Sequence, residues 1–328
     1  MKDKSFQWGI LGCGDVTEIK SGPGLRKASG SSVVACMRRD AKKAEDYAQR
    51  HDIPTWYDNA DNLIDDPLVQ GVYIATSPES HKEYTLKVAK AGKPVYVEKP
   101  PAMNSAELYE MIEACKDHDV PLFVAYYRRG LPLFAKIKAL IEEGKIGTPR
   151  SMILSIRESL PKDIDTHLPW RLNPEIAGGG LFMDLGCHQL DILDWILGPI
   201  KNPRGFAVNR AGKYKAEDGV ATSFEFESGV IGTGLWDFTV ADEVKEDRVE
   251  IIGDRGRLEF AVFAHQHLIY EGQEGRQEWD LPNPEHVQQP LIQTIADQLN
   301  GSGQCPSTGE TALRTSLVID SLLEDYYS

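Results

Sequence analysis

Short apolar runs alternate with helix-like segments through the first third of the chain. In the segments between the runs, apolar residues recur at helical spacing, as Ala44, Tyr47 and Ala48 do. The predicted strands are Gln7–Leu11, Val33–Met37, Gly71–Ala75, Pro94–Glu98 and Leu122–Ala125, and the predicted helices are Asp40–His51, Glu79–Ala91 and Ser105–Asp117. This alternation predicts a parallel sheet that helices cover on both faces.

The pattern changes after about Tyr126, where longer strands of alternating polarity follow one another with few helices between them. The predicted strands here are Arg150–Arg157, Gly219–Glu227, Val230–Val240, Arg248–Gly253 and Arg257–Phe263, and the predicted helices are Leu133–Glu143, Gly180–Leu197, Glu285–Asn300 and Gly309–Tyr326. The loop Pro161–Gly180 is long for a compact domain, which is typical of a functional or mobile segment. We therefore predict an α/β chain, with a parallel-sheet domain over residues 1–125 and an α+β domain with a large, mostly antiparallel open sheet over residues 126–328.

Composition argues against several classes of protein. A net charge of −14 over 328 residues repels phosphate backbones, so we expect no nucleic-acid partner. The five cysteines are scattered and none forms a CxxC pair, which argues against a disulfide framework and a zinc site. The start at Met1–Lys4 lacks the features of a signal peptide, and no apolar run approaches the roughly 18–20 residues of a membrane span. We expect a cytoplasmic protein without a membrane partner.

A glycine-rich turn follows the first predicted strand, with Gly12 and Gly14 in a GxGxxT pattern that ends at Thr17. Gly12 permits the tight turn, and Gly14 allows the backbone to approach a pyrophosphate. The helix that begins with Asp15 and Val16 offers backbone amides and a partial positive charge to the phosphates. Glycine or alanine usually stands where Thr17 does, so we expect a looser contact between strand and helix. An ordinary glycine-rich turn is the alternative, but the position in a β-α-β series favours a nicotinamide dinucleotide site.

The residues at the end of the second predicted strand distinguish NAD from NADP. An acidic residue there would bind the ribose 2′-hydroxyl of NAD, whereas an arginine accommodates the 2′-phosphate of NADP. Arg38 stands at this position with Arg39 after it, and a guanidinium suits a phosphate dianion. Asp40 is better placed as the N-cap of the next helix. The sequence favours NADP, with NAD use and a merely solvated basic stretch as the alternatives.

A series of motifs runs from the N-terminus to Asp191. In chain order they are the GILGCGDV turn from Gly9, Thr76–His81, Ala91–Lys93, Glu98–Pro100, Tyr127–Pro132, Trp170–Arg171, Ala177–Gly180 and Asp184–His188. Each motif is weakly specific, but their order and spacing together resemble the Gfo/Idh/MocA family, the group of glucose–fructose oxidoreductase and inositol dehydrogenase. The family often has an acidic residue where Arg38 stands and a proline where Ser77 stands.

The resemblance implies a Rossmann domain and a substrate domain whose sheet often mediates oligomer contacts, so we expect a homodimer or homotetramer. It also implies hydride transfer between a nicotinamide and a sugar, a cyclitol or a related polyhydroxyl compound. The cofactor contacts that it adds are Thr76, Ser77, His81, Glu98, Trp170 and Arg171, and weaker candidates for the site are Tyr126 and Arg128. A core role for His81 and a packing role for the pair Trp170–Arg171 stay open.

Three residues are candidates for the chemistry. Oxidation of a secondary alcohol needs a base for the hydroxyl proton while hydride leaves the carbon. Lys99 follows a predicted strand at the edge where open α/β sheets bind ligands, and its cation can polarise a substrate oxygen. Asp184 and His188 are four positions apart on a predicted helix and share a face. We expect His188 to be the acid/base, Asp184 to bind and orient the substrate, and Lys99 to assist, with the roles of Lys99 and His188 exchangeable.

Other interpretations stay open. Asp184, His188 and Asp191 could ligate a divalent ion, but a nicotinamide enzyme with a lysine in place needs no Lewis acid, so we expect no metal. Cys13 and Cys187 lack evident activating partners, which favours packing roles. The main hypothesis is an NADP-dependent dehydrogenase or reductase acting on CH–OH groups. A non-catalytic dinucleotide-binding sensor on the same fold is the alternative, and a reductase of a linear tetrapyrrole or a dihydrodiol is a third hypothesis.

Overall fold

The computed structural model describes residues 5–328, and the start at Met1–Lys4 lies outside the described residues. The chain forms two compact units. The first contains the chain up to Leu131 together with Pro284–Leu313, and the second contains Pro132–Asn283 together with Arg314–Ser328. The sequence predicts one continuous stretch per domain, divided at residues 125 and 126, whereas the first unit takes in a late segment as well. A helical pattern alone does not reveal which core a helix joins.

The described residues form α-helices, strands and short helical turns. The α-helices, α1 to α11 in chain order, are Asp15–Ile19, Ser21–Lys27, Ala41–Arg50, Ala60–Asp65, His81–Lys90, Ser105–Asp117, Pro132–Glu142, Pro174–Ala177, Cys187–Leu197, Gln289–Leu299 and Gly309–Tyr327. The strands, β1 to β14, are Phe6–Leu11, Ser31–Met37, Thr55–Tyr57, Gly71–Ile74, Val95–Val97, Leu122–Val124, Pro149–Arg157, Ile200–Val208, Gly219–Phe226, Ile231–Asp237, Glu246–Gly253, Gly256–Phe260, His267–Gly272 and Gly275–Asp280. None of these helices is long and apolar enough to cross a membrane.

The first unit is built on a six-stranded parallel sheet with the strand order β3-β2-β1-β4-β5-β6. Every residue of β4, β5 and β6 is buried, as in parallel sheets that are covered on both faces. The predicted parallel-sheet domain is confirmed. The sequence pattern misses β3, because this strand has three residues at the sheet edge and its Trp56 is exposed.

The helix after the glycine turn is broken in two. The helices α1 and α2 meet at Lys20, and Pro23 has no N–H to continue the hydrogen bonds of α1 across the break. The two helices pack closely, since a Cβ on Gly22 would lie 2.1 Å from the carbonyl oxygen of Thr17. The helix next to the turn is therefore short, and its dipole is smaller than that of a continuous helix.

The second unit is built on an eight-stranded sheet with the strand order β14-β13-β12-β11-β7-β10-β9-β8. The neighbours β7 and β10 are parallel and the other neighbours are antiparallel, which confirms the predicted mostly antiparallel sheet. Residues of β10 alternate between buried and exposed, so one face belongs to the core and the other is open. The sequence pattern misses the edge strands β8 and β14, which carry several exposed polar residues, and it misses β13, whose residues are buried or half-buried.

The predicted loop Pro161–Gly180 contains two short helical turns, Trp170–Leu172 and α8. Gly178 ends α8 with a φ of +79°, a left-handed conformation that favours glycine. The predicted helix Gly180–Leu197 begins as a π-helical turn, Phe182–Gly186, and continues as α9. Turns of this kind are rare and occur frequently at functional sites.

Candidate active site

Four predicted motifs follow the ends of neighbouring strands. The strands β2, β1, β4 and β5 are consecutive in the first sheet and parallel, so their C-terminal ends meet at one edge. Neighbouring strands lie about 4.8 Å apart. In sheet order, the motif residues that follow these strands are Arg38, Gly12, Thr76 and Lys99. The fold thus brings these candidates to the edge at which open α/β sheets bind ligands.

The two glycines of the turn have different surroundings. Gly12 adopts a φ of +90°, and a Cβ there would lie 2.8 Å from Cγ2 of Thr76 and 2.9 Å from the carbonyl oxygen of Ala75. Both the backbone and the packing therefore require glycine at this position. A Cβ on Gly14 would meet no atom within 4 Å. The backbone at Gly14 is therefore open to close approach, as a pyrophosphate site requires.

Thr17 is fully buried beneath the turn. Its hydroxyl donates to the carbonyl oxygen of Gly14 at 2.7 Å, and its own carbonyl accepts the Tyr47 hydroxyl at 3.0 Å. The contact is tight where the sequence predicts a loose one, because the threonine satisfies its hydroxyl within the turn. Asp15 and Val16 open α1, and the first amides of a helix have no partner within it and can bind phosphate.

Arg38 lies against the glycine turn. Its Nη1 donates to the carbonyl oxygen of Cys13 at 2.9 Å, and the residue is half-buried. This contact holds the guanidinium at the end of β2, so Arg38 is more than a solvated surface residue. Arg39 is exposed. The carboxylate of Asp40 accepts the N–H of Lys43 at 3.2 Å, which confirms its predicted role as an N-cap.

His81 is fully buried and joins two loops at the sheet edge. Its Nδ1 lies 3.1 Å from the carbonyl oxygen of Pro100, and its Nε2 lies 3.0 Å from that of Thr76. The Ser80 hydroxyl donates to Oγ1 of Thr76 at 2.7 Å, and Ser77 is half-buried beside it. Burial lowers the pKa of the His81 ring. This geometry fits the core role that the sequence left open, in which His81 holds two loops together rather than touching a cofactor.

Glu98 is buried and fixes the backbone of Lys99. Its Oε2 accepts the N–H of Lys99 at 3.1 Å, and its Oε1 accepts the Tyr73 hydroxyl at 2.5 Å and Nε2 of Gln288 at 2.8 Å. Burial and the nearby Glu98 raise the pKa of Tyr73 well above its usual value. These bonds favour a positioning role for Glu98 over the predicted contact with a cofactor. Lys99 itself is half-buried just beyond β5.

Gln288 belongs to this network, and no local sequence pattern predicts it. It is buried, and its Oε1 accepts the Tyr96 hydroxyl at 3.0 Å while its Nε2 donates to Glu98. The residue lies 190 positions after Glu98, in the late segment that joins the first unit. A glutamine before a helix carries no sign of burial, so no local signal identifies it.

In the second unit, Arg171 connects two other candidates. Its guanidinium carbon lies 4.4 Å from the centre of the Trp170 ring, a cation–π geometry. Its Nε lies 3.4 Å from Oδ2 of Asp184. Trp170 is 39% exposed, so the aromatic ring is partly open to a ligand. The predicted Trp-Arg pair is thus linked to the predicted substrate-binding carboxylate.

His188 is buried on α9, four residues after Asp184 in the preceding π-helical turn. Its ring lies 6.1 Å from the ring of Phe263 in an edge-to-face arrangement. The loop that carries Phe263 is fixed by Asp247, whose carboxylate accepts the backbone N–H groups of Val262, Phe263 and Ala264 at 2.5–3.1 Å. No motif in the sequence marks Phe263 as a residue of the site.

Within residues 5–328, no three His, Cys, Asp or Glu side chains are arranged to hold a metal ion. The remaining candidates, which are Cys13, Cys187, Tyr126 and Arg128, are buried. A hydrogen bond with Cys36 and burial raise the pKa of the Cys13 thiol, which suits a packing role, and Cys187 is buried as well. Arg128 is buried in the first unit, with its guanidinium 4.9 Å from the centre of the Tyr127 ring, and the neighbouring Tyr126 is buried too.

The predicted residues form two groups. The first unit contains the glycine turn, Arg38, the loop from Thr76, and Lys99, and the second unit contains Trp170–Arg171 and Asp184–His188. In the second group, the contacts described above join Trp170, Arg171 and Asp184, and His188 lies four residues after Asp184. One group has the features of a dinucleotide site, and the other has a carboxylate, an imidazole and an aromatic ring suited to a polar ligand.

Comparison with known proteins identifies the family. The model of the Gfo/Idh/MocA oxidoreductase family with an NAD-binding Rossmann fold matches residues 6–126, and the Gfo/Idh/MocA C-terminal domain matches residues 134–259. The chain is 35% identical to Oxidoreductase P35 of Formosa agariphila over 321 residues, which cover 97% of this chain and 98% of that protein. It is 29% identical to the 1,5-anhydro-D-fructose reductase of Ensifer adhaerens over 323 residues, which cover 95% of each.

A solved structure shares the fold. Levoglucosan dehydrogenase, in complex with NADH and levoglucosan, matches with a TM-score of 0.87 at 21% identity, over 98% of this chain and 97% of that chain. The resemblance seen in the sequence motifs is confirmed. The chain belongs to the Gfo/Idh/MocA family, and it is an oxidoreductase with an NAD-binding Rossmann fold.

Proposed function

We propose that the protein is an NADP-dependent dehydrogenase or reductase that transfers hydride between the nicotinamide and a sugar, a cyclitol or a related polyol or keto compound. The proposal rests chiefly on Lys99, which follows β5 at the same sheet edge as the glycine turn and donates its backbone N–H to buried Glu98. A cation beside a dinucleotide turn can polarise the oxygen of an alcohol or ketone. A non-catalytic sensor would need the turn but not the lysine.

The proposed preference for NADP rests on Arg38. The guanidinium is held next to the glycine turn by its hydrogen bond to Cys13, at the position where an acidic residue would bind the 2′-hydroxyl of NAD. A planar guanidinium can bind a phosphate through two parallel hydrogen bonds, which favours the 2′-phosphate of NADP. When bound, the nicotinamide accepts or supplies the hydride. NAD use is the alternative.

We assign the proton transfer to His188, assisted by Lys99. The His188 ring is buried beside Phe263, so its proton passes to a substrate oxygen with little competition from bulk water. Asp184 binds and orients a substrate hydroxyl, and Arg171 beside it fixes the direction of the carboxylate. The roles of Lys99 and His188 are exchangeable in this scheme, because each can carry a proton.

A sugar-derived carbonyl compound is the favoured substrate. The relative from Ensifer adhaerens bears the name 1,5-anhydro-D-fructose reductase and aligns over 95% of both chains. The partly exposed ring of Trp170 offers an apolar surface of the kind that packs against the C–H face of a sugar, and Arg171 offers hydrogen-bond donors beside it.

We also propose that the protein forms a homodimer or homotetramer through the open face of the second sheet. Four large apolar side chains on this sheet are exposed, with Phe206 and Ile231 63% exposed and Ile153 and Leu235 also open to solvent. Exposed apolar patches mark interaction surfaces, and identical chains most often pair through the same patch on each copy.

A cytoplasmic location is proposed from the cysteines. All five are free thiols in buried positions. Unpaired thiols suit a reducing compartment, where disulfides are rare.

A turnover screen tests the proposed function. The purified protein is mixed with NADPH or NADH and a panel of keto compounds, beginning with 1,5-anhydro-D-fructose, and with NADP⁺ or NAD⁺ and the corresponding sugars, cyclitols and a trans-dihydrodiol. The absorbance of the reduced nicotinamide is followed. We expect turnover of at least one sugar-derived compound, faster with NADPH than with NADH. Tight cofactor binding without turnover of any compound would contradict the proposal and favour the sensor.

A further inference from the structure

Glu217 collects hydrogen bonds from two distant parts of the second unit. The residue is fully buried just before β9. Its two carboxylate oxygens accept the backbone N–H of Gly180 at 2.9 and 3.0 Å, and Oε2 also accepts the Tyr327 hydroxyl at 2.6 Å. The backbone amide of Met183 lies near enough to lower the pKa of the carboxyl group. One carboxylate therefore joins Gly180, which precedes the helical segment with Asp184 and His188, to the last turn of α11.

The amide that Glu217 binds, at Gly180, lies at the start of the helical segment that carries Asp184 and His188. The first N–H groups of any helix lack partners within it, and a carboxylate there satisfies them and opposes the helix dipole. The residues at this start provide no side-chain cap of their own. Glu217 supplies the cap from a position 37 residues later in the chain.

The contact with Glu217 requires a glycine at position 180. A Cβ there would lie 2.6 Å from the carbonyl oxygen of Glu217 and 3.0 Å from its Oε1. Any side chain at Gly180 would push the carboxylate away from the amides. The close approach explains one glycine of the Gly178–Gly180 run by a contact within the protein rather than by a cofactor.

The end of α11 is held to the same segment by two neighbouring tyrosines. Tyr327 donates to Glu217, and Tyr326 donates to the carbonyl oxygen of Lys215 at 2.9 Å. Burial raises the pKa of Glu217, while the Tyr327 hydroxyl and the Gly180 N–H lower it. Each tyrosine hydroxyl thus donates one hydrogen bond to this segment, but only Tyr327 reaches the carboxylate that caps the helix.

We propose that Glu217 and Tyr327 are positioning residues for the reaction, because together they fix the start of the helix that carries Asp184 and His188. The inference rests on the proposed roles of Asp184 and His188. The capping contact itself does not depend on those roles. Tyr327, in the last turn of α11, thus sets the geometry of the proposed substrate-binding carboxylate through one buried side chain.

Hydrogen–deuterium exchange tests the contact. Tyr327→Phe removes the hydroxyl that donates to Glu217 and keeps the ring, and Tyr326→Phe is the matched control. We expect peptides that cover residues 178–188 to exchange about tenfold faster in Tyr327→Phe, since the buried carboxyl group loses one of its hydrogen-bond donors. Tyr326→Phe should exchange there as the parent protein does. Unchanged exchange in Tyr327→Phe, or an equal increase in both variants, would overturn the inference.

Kinetics test the consequence for the reaction. With NADPH and the panel compound that the parent turns over fastest, we expect kcat to fall about tenfold in Tyr327→Phe and further in Glu217→Ala. Glu217→Gln should recover part of the loss, because its amide oxygen still accepts the Gly180 N–H. The dissociation constant of NADPH, measured by fluorescence, should stay within about twofold of the parent value, since a positioning defect in the second unit leaves the dinucleotide turn intact. Tyr326→Phe should keep its kcat.

The two proposals fail in different ways. A parent protein that turns over no compound contradicts the proposed function before any variant is made, and the exchange experiment still decides whether Glu217 and Tyr327 hold the helix. An active parent with faster exchange but an unchanged kcat in Tyr327→Phe would overturn the positioning role alone. A fall in kcat that Tyr326→Phe reproduces would show a general loss of structure and would overturn it as well.

Discussion

Lys99 donates its backbone N–H to the carboxylate of Glu98, so the residue proposed to act on the substrate is held in place by its own neighbour. The same carboxylate binds Tyr73 and Gln288, which belong to β4 and to the late segment of the first unit. Three donors therefore fix Glu98 before any ligand arrives. The Lys99 side chain extends from a backbone with little freedom to move, which favours a preorganised cation.

Lys99→Ala should abolish turnover while leaving cofactor binding largely intact. The loss of a positioned proton-transfer group costs about 10²- to 10⁴-fold in rate. Steady-state kinetics and NADPH fluorescence titration measure the two effects separately. Lys90→Ala, at an exposed position at the end of α5, is the control. Unchanged turnover in Lys99→Ala would show that the catalytic assignment is wrong.

Arg38→Asp should reverse or flatten the preference for NADPH. The parent protein should bind NADPH about tenfold or more tightly than NADH, because a charge-assisted contact to the 2′-phosphate is roughly twice as strong as a neutral one. The aspartate would repel the phosphate and could bind the 2′-hydroxyl instead. Titration with both dinucleotides gives the ratio, and Arg39→Asp, at the exposed neighbouring position, should change it less. Equal affinities in the parent would refute the role of Arg38.

Gln288→Ala should destabilise the first unit and reduce turnover together. The substitution leaves the Tyr96 hydroxyl without its acceptor and takes one donor from Glu98. An unsatisfied buried polar group costs about 1–3 kcal/mol, which urea denaturation can measure. Gln273→Ala, at an exposed position, should change neither quantity. Wild-type stability in Gln288→Ala would mean that the network is not a support for the loop of Lys99.

Glu18 should contribute a pH-dependent part of the stability. Its hydrogen bonds to Arg50 and His51 lower its pKa from 4.5 to about 2. A depressed folded-state pKa gives stability that is present above about pH 4.5 and is lost as the pH falls towards about 2. Glu18→Gln should therefore be less stable than the parent near neutral pH by about 0.5–1 kcal/mol, with the difference shrinking below pH 4.5.

Denaturation curves between pH 7 and pH 3.5 measure this difference. Glu45→Gln, at an exposed position on the same helix as Arg50, is the control and should show no such trend. A constant difference between parent and Glu18→Gln across this pH range would mean that ionisation of Glu18 does not stabilise the fold.

Leu235→Glu should weaken the proposed association between copies. Leu235 is on the open face of the second sheet, opposite Ala221 and Ser155 on the neighbouring strands. A charge brought into an apolar interface of two identical chains is buried twice, so the oligomer should dissociate to monomers. Light scattering after size exclusion measures the mass. Leu317→Glu, at another exposed apolar position, should leave the mass unchanged, and a parent that is monomeric would contradict the proposal.

Features that depend on the local backbone can be predicted from the sequence. Gly12 stands where the chain needs a positive φ, and Asp40 stands before a helix whose amides need an acceptor, so both were identifiable without a structure. Lys99 was identifiable because it follows a strand in a β-α-β series. Edge strands such as β8 were missed, since exposed polar residues on both faces leave no alternation to detect.

Features that depend on contacts between distant residues could not be predicted. Gln288 reaches Glu98 across 190 positions, and Glu217 reaches Gly180 across 37. A glutamine and a glutamate are usually surface residues, and no neighbouring residue marks these two as buried. Thr17 is a milder case, because its bulk predicted a loose contact and its hydroxyl produced a tight one.

The late segment of the first unit has a consequence for folding during synthesis. When the ribosome has completed β6, it has not yet synthesised Gln288 or the helix α10 that follows it. In the folded first unit, Ile292 of α10 packs against Gly24. Until Gln288 and α10 have been synthesised, after most of the second unit, the nascent first unit exposes the apolar surface that α10 covers and lacks a donor to Glu98. The support of the lysine proposed for catalysis is therefore completed late in synthesis, and we expect an N-terminal fragment that ends at β6 to expose apolar surface rather than to fold independently.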